Sequence, residues 1–526
     1  MRWPHRFTRF RHGRGRSFGH LVHPRRWPRR HWIVSSASTT AVVLVAGLLP
    51  VVLYTAPAPC GAGMTAVGTA TTCVGLDVDS TGFTDGGRLA GLTRQVARSN
   101  AAVDGAFATI VLLDNMTPDP AQDSDDGETL VHRIEGALTA VRRANTQSIA
   151  GGTEPRIKLL LASYGSRAES WRHAVNAIRK ARVSEHIAAV VGIGQSLNTT
   201  RQAVAALSDS GIATIGSVVT ADDMNTDLDG EPIVDFFRVS PTNTDEAQAM
   251  VSYLTAHGKQ KVMLVHDLNE GDSYTRTLAS AFVAAYETRT GIKISYTDPY
   301  RSPKLQLTGT ARTVYMKNRF AKMLVNVCAN KPDVIVFAGR SADMVSFMRA
   351  LSEGGACALT SLDVVTGDDA ANIAGEPLPA SDHLKFRVFY TALAHGAQWD
   401  SAPPNSVNRK NYDAFEQEFF RNGFGSDDLA DGHAMISYDA ALTAIVAIRN
   451  DPLATTDPST LSDALLGLRC VNTIPGVSGA IALASDGNPT NKVMPILQIQ
   501  QNGFLKQESL AWPAGTPLDP QSTCHD

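Results

Sequence analysis

Short β-branched runs alternate with longer stretches whose apolar residues recur every three or four positions. Runs at 107–113, 157–162, 188–192 and 212–215 have few polar interruptions, which fits strands buried on both faces. Between them, Leu130, Ile134, Leu138 and Val141 fall on one helical face. Trp171, Val175 and Ile178 do the same, as do Val204 and Leu207. Strand, helix, strand, helix in this order predicts a parallel sheet with right-handed crossovers. A further extended run at 236–239 is broken by Ser240-Pro241. Thr242 is then placed to cap a helix, with Asp245 and Glu246 in its first turn.

A second series follows. Strands are predicted at 261–266, 292–296, 334–337 and 362–366. The helices between them run through Leu278, Phe282 and Tyr286, through Phe320 and Leu324, and through Val345, Met348 and Leu351. Gly291 is the stop signal of the first. The run 386–393 is extended and expected to cross between lobes. Helices around Phe415 and Phe419, around Tyr438, Leu442 and Ile445, and over 461–468 come next, then strands at 480–483 and 493–499. The pattern is α/β throughout, with two Rossmann-like lobes of parallel sheet.

The stretch 187–225 carries the first functional signal. Two of its strands end in loops bearing hydroxyls, Gly194-Gln195-Ser196 and then residues 217–223 with Thr220. In open α/β sheets small ligands sit at the carboxyl ends of strands. Backbone N–H groups at a helix start, with the Ser196 and Thr220 hydroxyls nearby, suit a carboxylate without any catalyst.

Composition changes the picture at the N-terminus. Residues 1–31 contain ten Arg, five His and no acid, and have no hydrophobic period. Removing those ten from the 48 basic residues leaves 38 against 51 acids, so the remainder carries about −13. An acidic body argues against nucleic-acid binding. Residues 32–54 hold no charge and, as a helix at ~1.5 Å per residue, would span about 35 Å. The arginine arm before them predicts a cytoplasmic N-terminus and an exported body at the cell membrane. A cleaved signal peptide is the rival reading, disfavoured because Pro59 would follow the cut at Ala56-Pro57-Ala58.

All six cysteines lie beyond this segment, an even number on the exported side. Proximity suggests Cys60 with Cys73, Cys328 with Cys357, and Cys470 with Cys524; buried free thiols are the alternative. Enzyme signatures are missing. Gly192-Ile193-Gly194 lacks the third glycine of a dinucleotide fingerprint, and there is no P-loop and no His-Glu-x-x-His. Gly476-Val477-Ser478-Gly479 lacks the spacing of a nucleophile elbow. No catalytic residue, metal site or cofactor is expected.

The segments VVGIGQS, GIATIGSVVT, FFRVSPTNTDEAQAMVSYL, KVMLVHDLNEGDSYTRTLASAF and PDVIVFAGRSADMVSFMRAL, in this order and spacing, resemble the type I periplasmic binding protein family. The nearest branch is the leucine/isoleucine/valine-binding receptors of ABC importers. The resemblance covers about residues 105–510. It implies a ligand cleft between two lobes joined by a three-crossover hinge. It also implies roles: Ser196 as the hydroxyl opening the third helix and binding a ligand carboxylate, Val218 and Thr220 as the next loop, and Tyr274 as the aromatic cover. Asp368, or its neighbour Asp369, would take an ammonium. Asp114, in the loop after the first strand, could add another acid.

The expected organisation is a basic cytoplasmic arm (1–31), a transmembrane anchor (32–54) and an extracytoplasmic stalk or lead-in (55–104). Lobe 1 is expected over 105–241 and 395–470, and lobe 2 over 242–394 and 471–526. The function expected is a membrane-anchored solute-binding protein that captures an amino acid or similar small polar ligand for ABC-type import. The alternative is a ligand-sensing receptor ectodomain signalling to a membrane partner.

Overall fold

The computed structural model describes residues 60–525, except 69–71, 84–86, 120–122, 124, 126, 295, 304–306, 308, 355–358, 452 and 455–456. The basic arm and the apolar segment 32–54 lie outside the described residues. Among the described residues, no helix is long and apolar enough to cross a membrane.

Two seven-stranded sheets organise the chain. The first uses β1 (Met64–Val67), β2 (Thr72–Asp77), β3 (Phe107–Asp114), β4 (Arg156–Ser163), β5 (Ile187–Gly192), β6 (Ala213–Gly216) and β7 (Phe236–Arg238). Their order is β1-β2-β4-β3-β5-β6-β7. The five strands β4 to β7 in that order are parallel, and β2 runs antiparallel to both its neighbours. The second uses β8 (Val262–Asp267), β9 (Tyr296–Tyr300), β10 (Val334–Ala338), β11 (Ser361–Thr366) and β12 (Lys385–Thr391). After the hairpin of β13 (Ile474–Gly476) and β14 (Gly479–Ile481), β15 (Met494–Ile499) and β16 (Leu505–Ala511) complete it. Its order is β16-β15-β12-β11-β10-β8-β9. The strands from β12 to β9 are parallel, and the last two are antiparallel.

Both sheets are covered on both faces, as their unbroken apolar strands require. Every residue of β5 is buried. On one face of the first sheet lie helices Gly127–Thr146, Val407–Arg421 and His433–Asn450. On the other lie Trp171–Ala181 and Asn198–Ser208. Gly136 lets the 127–146 and 433–450 helices touch backbone to backbone, because a Cβ there would collide with the Ala434 carbonyl. The second sheet is flanked by Gly309–Asn330 and Ser341–Gly354 on one side. Asn243–Ala256 and Ser273–Thr290 cover the other. Thr242 caps its helix as its position predicts: its Oγ1 accepts from Asp245 N at 3.1 Å, and Asp245 accepts from Thr242 N at 3.0 Å. Gly291 ends the 273–290 helix in the left-handed region, at φ 68°.

The chain passes between the two sets of cores three times. Val239, Leu393, Ala394 and Leu483 belong to the first lobe. Ala247, Ala392 and Met494 belong to the second.

Several expectations need correction. Residues 64–101, read as part of a stalk or lead-in, instead supply β1, β2 and helix Gly87–Ala101 to the first lobe. The fully buried end of β2 lacks the alternation that marks a strand, and a Cys60–Cys73 disulfide ties it down. The first lobe also continues past residue 470, since Ile474, Val477, Ile481 and Leu483 are in its core. The strand expected at 292–296 instead runs Tyr296–Tyr300, and Ile292 is exposed. It is an edge strand, which is why Pro299 is tolerated in it. β16 has no buried residue and no apolar alternation to announce it. The Cys470–Cys524 disulfide is present, and Cys328 is bonded; Cys357 lies outside the described residues.

Candidate functional site

The loops at the carboxyl ends of both sheets face each other across the gap between the lobes. Thr220, after β6, donates from Oγ1 to Asp368 Oδ1 of the second lobe at 3.1 Å. Tyr274 N donates to the Ser196 carbonyl at 3.3 Å, and Arg340 Nη2 donates to the same oxygen at 3.4 Å. Asn198 N reaches the Gly271 carbonyl at 3.1 Å, and Ser273 Oγ reaches Asn198 Oδ1 at 3.1 Å. Arg276 pairs with Asp223 at the rim. Ser196, Thr220, Tyr274, Asp368 and Asp369 are therefore brought together.

Ser196 is buried, but it does not cap the third helix. That helix starts at Asn198, and the Ser196 hydroxyl instead accepts from Ala221 N at 3.3 Å. The bond ties the first strand-end loop to the second. Thr220 is fully buried, and its carbonyl accepts from Asn243 N at 2.6 Å, at the first crossing between lobes. Val218 is half-buried against the first-lobe core. The Tyr274 ring is buried beneath the Arg340 guanidinium, 4.6 Å from its centroid.

The acids are not equivalent. Asp369 accepts from Arg340 Nη1 at 2.7 Å and from Ser341 N at 2.6 Å. Asp114 is buried against Arg133, whose Nε reaches it at 2.8 Å while Nη2 reaches Asp125 at 2.9 Å. Asn372 of the second lobe donates to that same Asp125, at 3.4 Å. Among the described residues no arginine bonds to Asp368; its hydrogen-bonding neighbours are Thr220 and Glu246, whose Oε2 accepts from Asp368 N at 2.9 Å. Burial, and then the Asp369 charge, push the Asp368 carboxyl up to about 7. Burial, and then Asp368, hold Glu246 well above the usual carboxylate range. Two acids this close in a low-dielectric site do not both ionise readily near neutral pH.

Sequence reasoning missed Arg340, Asp272 and Glu246. Asp272 takes Arg340 Nε and Nη2 on its two oxygens, both at 2.8 Å. Burial works against the arginine's charge, but Asp272 and Asp369 overcome it and hold the guanidinium well above its ordinary range. Applying the strand-end rule to β10 would have found Gly339-Arg340-Ser341. Glu246 looked like an ordinary first-turn acid, and only the fold turns it inward.

The periplasmic binding protein family model matches residues 134–504, more than half of the chain. No curated protein matches. Solved structures match well in fold. The ABC transporter substrate-binding protein of Desulfitobacterium hafniense, in complex with Leu, has a TM-score of 0.54 at 17% identity, covering 77% of this chain and 100% of that one. The branched-chain amino acid transporter substrate binding protein of Streptococcus pneumoniae, in complex with isoleucine, has 0.53 at 15%, covering 77% and 99%. A solute binding protein of R. palustris, in complex with benzoate, has 0.53 at 13%, covering 79% and 99%. These likenesses speak for the fold, and the family is one of solute binders rather than enzymes. With two parallel-rich lobes, three crossings and a cleft of strand-end loops, the chain belongs to the type I periplasmic binding protein family.

Proposed function

We propose that this protein captures an amino acid, or a similar small polar carboxylate, in the interlobe cleft and presents it to an ABC-type importer. The ligand carboxylate sits on Ser196 and on the loop of Val218 and Thr220, where hydroxyls and backbone N–H groups converge. The ammonium sits on Asp368, a cleft acid that no arginine pairs with, and Tyr274 covers the ligand. Asp369 and Asp114 act indirectly, by holding Arg340 and Arg133. Residues 32–54 anchor the body to the membrane on its extracytoplasmic side; their uncharged length and the arginine arm before them support this.

The observation that carries the reading is the contact of Thr220 with Asp368 at 3.1 Å. A hydroxyl from one lobe and an acid from the other meet at one point, the pairing an amino acid needs at its two ends. The ligand would part them and bridge them. The test is a thermal-shift screen of the full chain in lipid nanodiscs against amino acids and small aromatic carboxylates. A ligand at ~100 times its dissociation constant adds about 2.7 kcal/mol. The Ser196→Ala/Thr220→Ala double variant should lose that gain; a gain that survives in it sinks the assignment.

A further inference from the structure

Outside the cleft, the first lobe holds a cavity of about 460 Å³, within the range of small-molecule sites. It lies between the end of the 127–146 helix, the 433–450 helix, the start of the 407–421 helix and the segment 471–477. One stripe of the 433–450 helix, Tyr438, Leu442 and Val446, forms an apolar wall. Val407 and Val471, 63% and 82% exposed, also line the cavity.

Arg143 sits in the lining, yet is only 4% exposed. Its Nη1 donates to the Tyr438 hydroxyl at 2.5 Å and its Nε to Gln147 Oε1 at 3.2 Å. Among the described residues, Arg143 makes no ion pair, and Nη2, which keeps some contact with solvent, donates no hydrogen bond within the protein. The nearest acid in its network is Glu418, reached through Gln147 Nε2 at 3.2 Å. Arg449, on the neighbouring helix, likewise makes no ion pair among the described residues. It is spent on the carbonyls of Ile149, Gly152 and Ala144. A buried guanidinium without a counter-charge is unfavourable in isolation. A planar donor beside an apolar wall matches a carboxylate with an apolar body.

We propose that this cavity is a second binding site, for an organic monocarboxylate with an apolar body, seated with its carboxylate on Arg143. It is distinct from the interlobe cleft and shares no side chain with it.

The test is calorimetric titration of the full chain in nanodiscs with sodium hexanoate, with empty nanodiscs as the blank. Hexanoate should bind one per chain, and hexan-1-ol, which has the same body without the charge, should not. Arg143→Met should weaken hexanoate at least tenfold. Because Arg143 also holds Tyr438, Val446→Trp serves as a second variant; it fills the cavity without touching the guanidinium and should abolish binding. The Ser196→Ala/Thr220→Ala variant should keep it. Absence of hexanoate binding, equal binding by Arg143→Met, or equal binding by Val446→Trp overturns the proposal. So does loss of binding in the cleft variant, which would place hexanoate in the cleft.

Discussion

Arg340, half-buried beside the cleft, and Arg143, buried beside the cavity, are compensated in opposite ways. Arg340 spends three nitrogens on two carboxylates, Asp272 and Asp369, and its charge is satisfied inside the second lobe. Arg143 has a phenol and an amide for partners. Burying an ion without a counter-ion is unfavourable, so the two side chains should do different work. Arg340 braces the cleft wall, packs on Tyr274 and touches the Ser196 carbonyl from across the gap. A ligand carboxylate has little to gain from it. Arg143 keeps its attraction for an anion. The position of an arginine near a cavity is thus a poor guide to function until its counter-charges are counted.

The largest effect should come from breaking the brace. Asp272 is buried, takes two of the arginine's bonds, and also caps the 273–290 helix by accepting from Thr275 N at 3.4 Å. Asp272→Ala should cost about 3–5 kcal/mol of unfolding free energy in urea titration, as removing one partner of a buried pair does. Of this, about 1 kcal/mol belongs to the cap. Asp272→Asn keeps the cap acceptor and removes the charge, so it should lose the rest. If both variants stay within about 1 kcal/mol of the parent, Arg340 is no brace.

That brace was legible only in part. The alternation of apolar runs and helical stripes placed most central strands within a residue or two, because buried parallel strands cannot hide their composition. Strands at the margins were another matter. β1 and β16 sit at sheet edges, where propensity is weak and pairing decides. Ser196 and Thr220 stand at strand ends in the sequence pattern, and the fold brings both to the gap between the lobes. Glu246 was not, because a first-turn acid has an ordinary explanation. Which way it faces depends on Asp368 and Thr391, more than a hundred residues away. Local patterns carry local geometry, whereas pairing between segments far apart in the sequence is a property of the folded chain.

A middle-sized effect should follow from pH at the acid that no arginine pairs with. The groups facing Asp368 are Glu246, Asp369, Arg340, Tyr274, Tyr390 and Thr220. Its folded-state value of about 7 lies above its ordinary 3.8, so between these the folded chain holds more protons than the unfolded one. Its contribution to stability is therefore present below pH about 4 and is lost as pH rises through about 7. Solvent reaches this half-buried group, so the loss should be about 2 kcal/mol rather than the full shift. Asp368→Asn should flatten the wild-type decline between pH 5 and 7; an unchanged slope refutes the assignment. An amino acid whose ammonium ionises Asp368 should bind more tightly as pH rises toward 8. A carboxylate without an ammonium should show the opposite trend.

The smallest effect sharpens the contrast most. Arg143→Met removes a buried charge, a hydrogen bond to Tyr438 and one to Gln147, and leaves an apolar chain of similar length. Each lost bond is worth about 1 kcal/mol, but relief from burying an uncompensated ion offsets it. The variant should therefore unfold within about 1 kcal/mol of the parent. Tyr438 retains the rim of the Phe415 ring, 4.8 Å away, so its packing does not depend on the arginine. A loss of 3 kcal/mol or more, like that expected at Asp272, would mean that Arg143 is held as firmly as Arg340. The two arginines would then be the same kind of residue, and the cavity beside Arg143 would be a by-product of packing.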